Sequence, residues 1–298
     1  MTHTEEINLD SHDETGENTV VDLEHADAVH AETTHEIHHE VTLAAEPIAH
    51  VGNFPITNSL LNTWLVVVII IIFSVVLRTR MRLIPRGIQN VFEIFIEGAL
   101  DMCDSVTGDR KKSKRVFPIV FTFFAFILLN NWLGILPGIG TIGFVENGTF
   151  IPYFRGGTAD MNTTLALALI SVIGANIFGM VSVGVLKHAN KFINIKSFLD
   201  IPKKIKKDLS IIIVNPIKFF VGLIEIIGEV AKVASLSFRL FGNVFAGEVL
   251  LSTLAVIFAY GLPIPFIFLE IIVGFVQALI FALLTLVYYT IASMDEEH

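Results

Sequence analysis

The chain has 298 residues, 53% of them hydrophobic and only 16% charged, with a mean hydropathy of +0.69, whereas an ordinary soluble domain carries roughly 25% charge. Its formal net charge of −9 argues against a nucleic-acid partner, whose phosphates would be repelled. The single cysteine, Cys103, excludes a disulfide framework or a thiolate metal cluster.

The first 57 residues hold no Lys or Arg but 13 acids, from Glu5 to Glu46, which leaves +4 on the remainder. Eight of the ten histidines also lie there, between His3 and His50. Residues 1–57 read as an acidic, His-rich tail, disordered until about Pro47, ahead of a polytopic membrane domain over 58–298. The tail has neither the basic start nor the short apolar core of a secretory signal. His35 and His39 would share one face of a helix, but irregular spacing elsewhere favours solvated low complexity over a metal site.

Runs of about 20 apolar residues, enough to cross a bilayer, follow in order. Ser59–Leu77 is closed by Arg78, Arg80, Arg82 and Arg86. An amphipathic stretch between Arg86 and Asp104 comes next, with Ile88, Val91, Phe92, Phe95, Ile96 and Ala99 at helical spacing and Glu93, Glu97, Asp101 and Asp104 opposite. It is too polar to span and fits an interfacial helix. Val116–Leu136 is preceded by Arg110, Lys111, Lys112, Lys114 and Arg115. Thr164–Leu186 is followed by Lys187, Lys191, Lys196 and the cluster Lys203, Lys204, Lys206 and Lys207, and Phe266–Ala292 is the last run. If the chain starts outside, every basic cluster falls on one side, which makes that side cytoplasmic and leaves only Arg155 in the outer loop 138–163.

Leu209–Ala259 is harder. As one helix it would be about 75 Å long, more than twice a bilayer core. Two upright spans would need a turn around Ala234–Asn243, and no Gly-Pro or Asn-Gly pair splits the segment there, so a single long, tilted helix is predicted. With the last run it forms a long tilted helical hairpin. The fold class is then an all-α membrane protein with five membrane-crossing helices.

Polar residues interrupt this segment. Glu225, Glu229, Lys232, Arg239 and Asn243 fall within about 80° of one another on a helical projection, and Glu248 points away from that stripe. Glu270 and Gln277, seven apart, share a face of the last helix. Each charge at membrane depth costs roughly 2.5 to 3.5 kcal/mol on insertion scales and by default marks a functional path. Glu225, Glu229 and Lys232 can equally form a polar network near the cytoplasmic interface. Gln277 alone is a common helix-pairing residue. Arg239 is different: Ser235, Leu236, Gly242 and Asn243 occupy the positions where a structural arginine would bring its acid. A guanidinium is permanently protonated, so it cannot carry protons, but it can strip one from a passing carboxylate.

The run Ser237-Phe238-Arg239-Leu240-Phe241-Gly242-Asn243, followed by Ala246-Gly247-Glu248, closely resembles the signature of subunit a of the F-type ATP synthase membrane sector. Asn130-Asn131-Trp132-Leu133-Gly134-Ile135-Leu136-Pro137, Asp160-x-Asn162-x-Thr164 and Gln277-Ala278-x-Ile280-Phe281 followed by Leu284-Thr285 are similar to further family segments. The resemblance covers roughly residues 58–297.

It implies a non-catalytic stator with two offset half-channels to a rotating ring of c subunits. Further implied partners are peripheral-stalk subunit b, the remaining ATP synthase subunits and the bilayer. By the same resemblance Arg239 separates the half-channels and Gln277 faces it. Glu248 and Glu270 line the outer half-channel beside Asn243, and Glu225 lies on the cytoplasmic exit. Where Glu270 stands some relatives carry His, so two acids here suggest one protonated or a shared proton. Mitochondrial relatives usually carry His in place of Glu248, which points to a bacterial inner membrane, N-terminus outside and C-terminus cytoplasmic. No Gly-rich phosphate loop occurs, so neither nucleotide nor any other cofactor is expected. The competing readings are a self-contained proton- or sodium-coupled secondary transporter, for which no internal repeat is found, and a non-conducting scaffold.

Overall fold

A computed structural model describes residues 45–80, 87–136, 138–146, 149–185, 211–258, 261 and 263–294. Residues 1–44 of the acidic tail, Arg82 and Arg86, and the basic positions from Lys187 to Lys207 lie outside the described residues.

The sequence ends the expected disorder at about Pro47, and two short strands lie within 47–57, the last part of the segment assigned to the tail. Pro47–Val51 (β1) and Phe54–Thr57 (β2) form an antiparallel hairpin. Its two-residue turn is Gly52-Asn53, with Gly52 at φ 64°, the backbone sign that tight hairpins require and glycine supplies. The hairpin is tied to the first helix by the Asn58 amide, which donates to the Glu46 carbonyl at 3.1 Å.

Among the described residues six α-helices follow: α1 (Asn58–Arg80), α2 (Ile88–Thr107), α3 (Arg110–Ile135), α4 (Met161–Val183), α5 (Ile211–Ile257) and α6 (Pro263–Ala292). All but α2 are long and apolar enough to cross a membrane. The predicted long helix is real: α5 runs unbroken for 47 residues, about 70 Å. It does so because no proline between Pro216 and Gly261 withholds a backbone donor.

Each connection has its own local cause. Gly108 ends α2 at φ 68°, and the Asp109 side chain caps α3 by accepting from the Lys111 amide at 2.9 Å. Arg110 then bonds back to Asp101 at 2.7 Å and to Asp104. This corner sets the amphipathic α2 against α3, where Phe92 and Phe95 meet Phe121 edge-on. Burial pushes the Cys103 thiol up from its ordinary range, and the neighbouring Asp104 carboxylate adds to the shift.

The core sits where α6 packs on α3, α4 and α5. Ile127, Leu236, Leu240, Phe281 and Leu286 are almost fully buried there. With lipid as apolar as Leu, such helices are held by close fit and polar stitches. Ser171 and Thr285 hydroxyls lie 2.8 Å apart across α4 and α6, and Thr164 and Ser237 hydroxyls 3.2 Å apart across α4 and α5. Gly174 leaves room for the Tyr289 hydroxyl, which a Cβ there would approach to 2.3 Å. By contrast α1 keeps Val67, Val68, Ile71, Ile72 and Phe73 exposed and is anchored through Asn62, whose Nδ2 donates to Asn130 Oδ1 at 3.4 Å.

The loop between α3 and α4 is not a simple surface connection. It carries a second antiparallel pair, Gly143–Glu146 (β3) with Thr149–Pro152 (β4). It then turns inward, so that residues 155–160 are all buried, with a short 3₁₀ turn at Gly157–Ala159. Glycines admit this segment: a Cβ at Gly134 would lie 2.7 Å from Gly156 Cα, and one at Gly157 2.3 Å from Asn130 Oδ1. The Asp160 side chain then caps α4, accepting from the Asn162 amide at 2.9 Å.

Candidate functional site

The middle of α5 has two unlike faces. Leu236, Ser237, Leu240, Val244 and Gly247 recur at three- and four-residue spacing and are buried. Ser235, Phe238, Arg239, Gly242 and Ala246 lie on the other side and are exposed in the isolated chain. Small residues above and below Arg239 leave a shallow strip, and a side chain at Gly242 would meet nothing within 4 Å.

Arg239 itself donates through Nη2 to Ser235 Oγ, one turn back, at 3.4 Å. Among the described residues no carboxylate lies within ion-pairing distance of it. That matches the absence of an acid at helical spacing in the sequence. Asn243, one turn further on, is half-buried.

On α6, Gln277 is 5% exposed, and its Nε2 has no hydrogen-bond partner among the described residues. An orphaned buried donor is costly, and a functional group approaching from outside the chain is one reason to keep it. The interhelical contacts near it come instead from the Asn130-Asn131-Trp132 run. Asn131 Nδ2 donates to the Gly274 carbonyl at 3.1 Å and Trp132 Nε1 to the Ile271 carbonyl at 3.2 Å. Thr158 Oγ1 donates to Asn131 Oδ1 at 2.6 Å, which ties the inward-turning loop into the same junction.

The two acids Glu248 and Glu270 are brought to one level, but they do not share a proton through a hydrogen bond. Glu270 is 9% exposed and lays its carboxyl against Gly247 of α5, where a Cβ would come within 2.2 Å of Oε1 and 2.5 Å of Oε2. This explains the glycine between Ala246 and Glu248. The Glu248 carboxylate turns the other way and accepts from Arg155, from Nε at 2.9 and 3.1 Å and from Nη2 at 3.0 Å.

Towards the other end of α5, Glu229 pairs with Lys232 at 2.7 Å and accepts from Asn176 Nδ2 of α4 at 3.1 Å. Lys232 Nζ stands 5.3 Å from the Tyr288 ring centroid, within cation–π range. Glu225, one turn before Glu229, is half-buried.

Sequence reasoning gave no role at the site to Arg155, Gly247, Asn176 or Tyr288. For Arg155 a signal existed: it is the sole base in a loop that faces an unpaired acid in the spanning segment. Asn176 was also visible as a lone amide in an apolar run, whereas the partnership of Gly247 with Glu270 depends on tertiary contact alone.

Comparison with known proteins agrees with this geometry. The family described as ATP synthase A chain matches residues 60–290. ATP synthase subunit a of Syntrophobacter fumaroxidans is 34% identical over 80% of this chain and 85% of its own length. The subunit a of Moorella thermoacetica is 30% identical over 81% and 93%, and that of Geobacter sulfurreducens 31% identical over 81% and 89%. With a lone mid-helix arginine in the R-L-F-G-N run and the match extending across nearly all of the helical part, this chain belongs to the ATP synthase subunit a family.

Proposed function

We infer that this chain, a multi-pass membrane protein of the subunit a family, is the proton-conducting stator of an F-type ATP synthase, and that Arg239 separates its two half-channels. The observation that carries the assignment of Arg239 is its surroundings: it is exposed on the small-residue strip of α5, with no carboxylate partner among the described residues. A carboxylate carried past on a ring of c subunits would become that partner. Close to the guanidinium its ionised form is favoured, so it gives up its proton there. Because the guanidinium never deprotonates, it also bars hydronium from crossing directly.

The half-channels lie on either side of this point. Glu248, Glu270 and Asn243 line the approach from the outer side, and Gln277 offers its unpaired amide to the passing carboxylate. Glu225, Glu229 and Lys232 border the exit. The positive-inside rule puts the end bearing Arg78, Arg80 and Arg110 in the cytoplasm, in a bacterial inner membrane with the N-terminus outside. One proton crossing 100 mV yields about 2.3 kcal/mol, so many carriers must act per ATP, which a ring supplies. The chain itself performs no bond chemistry. Subunit b of the peripheral stalk and the other ATP synthase subunits complete the machine. A self-contained transporter is not favoured, since the family match spans residues 60–290.

The deciding experiment is Arg239→Ala in inverted membrane vesicles. ATP-driven acidification is expected to fall to background while native gels retain the assembled complex. Undiminished acidification would remove the reading, and loss of assembly alone would favour a scaffold.

A further inference from the structure

Glu248 and Glu270 meet the same stretch of α5 but have opposite surroundings. Three hydrogen bonds of 2.9 to 3.1 Å from one guanidinium reach the Glu248 carboxylate, the forked geometry in which Arg holds a carboxylate most firmly. Arg155 is 6% exposed and sits at the start of a segment buried throughout from 155 to 160. Tight seats at Gly134–Gly156 and Gly157–Asn130 hold that segment in place, so the cation is fixed by backbone packing and not by a flexible stem.

Among the described residues, the charged groups on the elements around this pair can be named. Asp160 is engaged in capping α4. The charged ends of α1 and α3, at Arg78, Arg80 and Arg110–Arg115, lie at the opposite ends of those helices. From α6 comes Glu270, which touches Gly247 and has neither a cation nor a hydrogen bond among the described residues. Of the two acids, only Glu270 can gain and lose a proton without breaking a charge pair.

We propose that Arg155 is a positioning residue for proton transfer: it holds Glu248 as a permanent anion and leaves Glu270 as the acid that carries the proton. Glu270 takes a proton from water on the outer side, becomes neutral, and returns to carboxylate when it passes that proton to the ring acid. Glu248 and Arg155 stay ionised throughout, and their charges cancel. This rests on the half-channel reading above and adds which acid carries.

The test compares R155Q, E270Q and the double variant R155Q/E248Q in inverted vesicles, with R239A as reference. R155Q leaves an unpaired carboxylate at membrane depth, and pumping is expected to fall about tenfold. Its pH profile should gain a second step, contributed by Glu248. In R155Q/E248Q a neutral amide pair replaces the ion pair, so the second step should vanish and most of the rate return. E270Q should be inactive in every background. An unchanged pH profile in R155Q, no recovery in the double variant, or proton pumping by E270Q overturns the proposal. So does a double variant that fails to assemble, because Arg155 would then matter for reasons other than Glu248. If R239A pumps normally, the stator reading fails; if R239A is inactive and the double variant shows no recovery, only the assignment of Arg155 fails.

Discussion

Arg155 and Arg239 carry the same guanidinium, and the fold treats them in opposite ways. Arg155 is buried on an inward-turning loop with a carboxylate gripping it from α5. Arg239 stands on the exposed strip of that same helix with a serine hydroxyl at 3.4 Å and no acid paired with it among the described residues. A buried cation is tolerable when its charge is cancelled inside the chain. An unpartnered cation in a membrane segment is tolerable only if something outside the chain cancels it, even if only in passing. The first arrangement stores a fixed charge, and the second presents a site.

Breaking the comparison at Arg239 should have the largest effect. Arg239→Lys retains the charge but loses the planar fork, and coupled pumping in vesicles is expected to fall by at least about a hundredfold with assembly unchanged, if the arginine's fork is needed in a step worth about 2.7 kcal/mol. Next comes the seat of the neighbouring acid. Gly247→Val would drive a branched side chain into the Glu270 carboxyl, for which even a Cβ is only 2.2 Å away. Overpacking of this kind costs about 1–3 kcal/mol. Because a carboxyl group can swing aside, the loss should appear in pumping rate more than in thermal stability of the detergent-solubilised subunit.

Arg155→Ala should show the reverse emphasis. Removing one partner of a buried pair costs about 3–5 kcal/mol, and with Glu248 about one-third exposed the lower end of that range is expected. Reduced assembly and faster proteolysis of the 155–160 segment would register it. If R155A assembled normally, the fixed-charge half of the comparison would be lost. The smallest effect belongs to Lys232→Met. Its pairing with Glu229 spans three residues of one helix, and both groups keep partial exposure. Such pairs contribute about 0.2–0.5 kcal/mol, so pumping should change less than about threefold. A complete loss would show that this network belongs to the conducting path.

The span count was legible because a bilayer core demands long apolar runs. The unbroken α5 was legible because no proline and no Asn-Gly or Gly-Pro pair divides it between Pro216 and Gly261. Arg239 stood out by the same local logic, since the positions one turn away on either side hold Ser235, Leu236, Gly242 and Asn243. The hairpin at 47–57 was missed because two short strands with prolines give too little alternation, and Gly52-Asn53 was passed over as part of the tail. The partner of Glu248 was missed for a different reason. Arg155 lies 93 residues away in the chain and meets it only because glycine-to-glycine contact lets a loop turn inward.

What the residues alone determined about this subunit is therefore what depends on neighbours within a turn or two: apolar length, helix continuity, and an arginine with no local acid. Only the tertiary structure decided which acid is neutralised and which is left open. That choice depends on close approaches, Gly134 to Gly156 and Gly247 to Glu270, between helices and loops far apart in the chain. Such contacts are set by the packing of backbones with no side chain between them, and a glycine carries no chemical mark of the neighbour it makes room for.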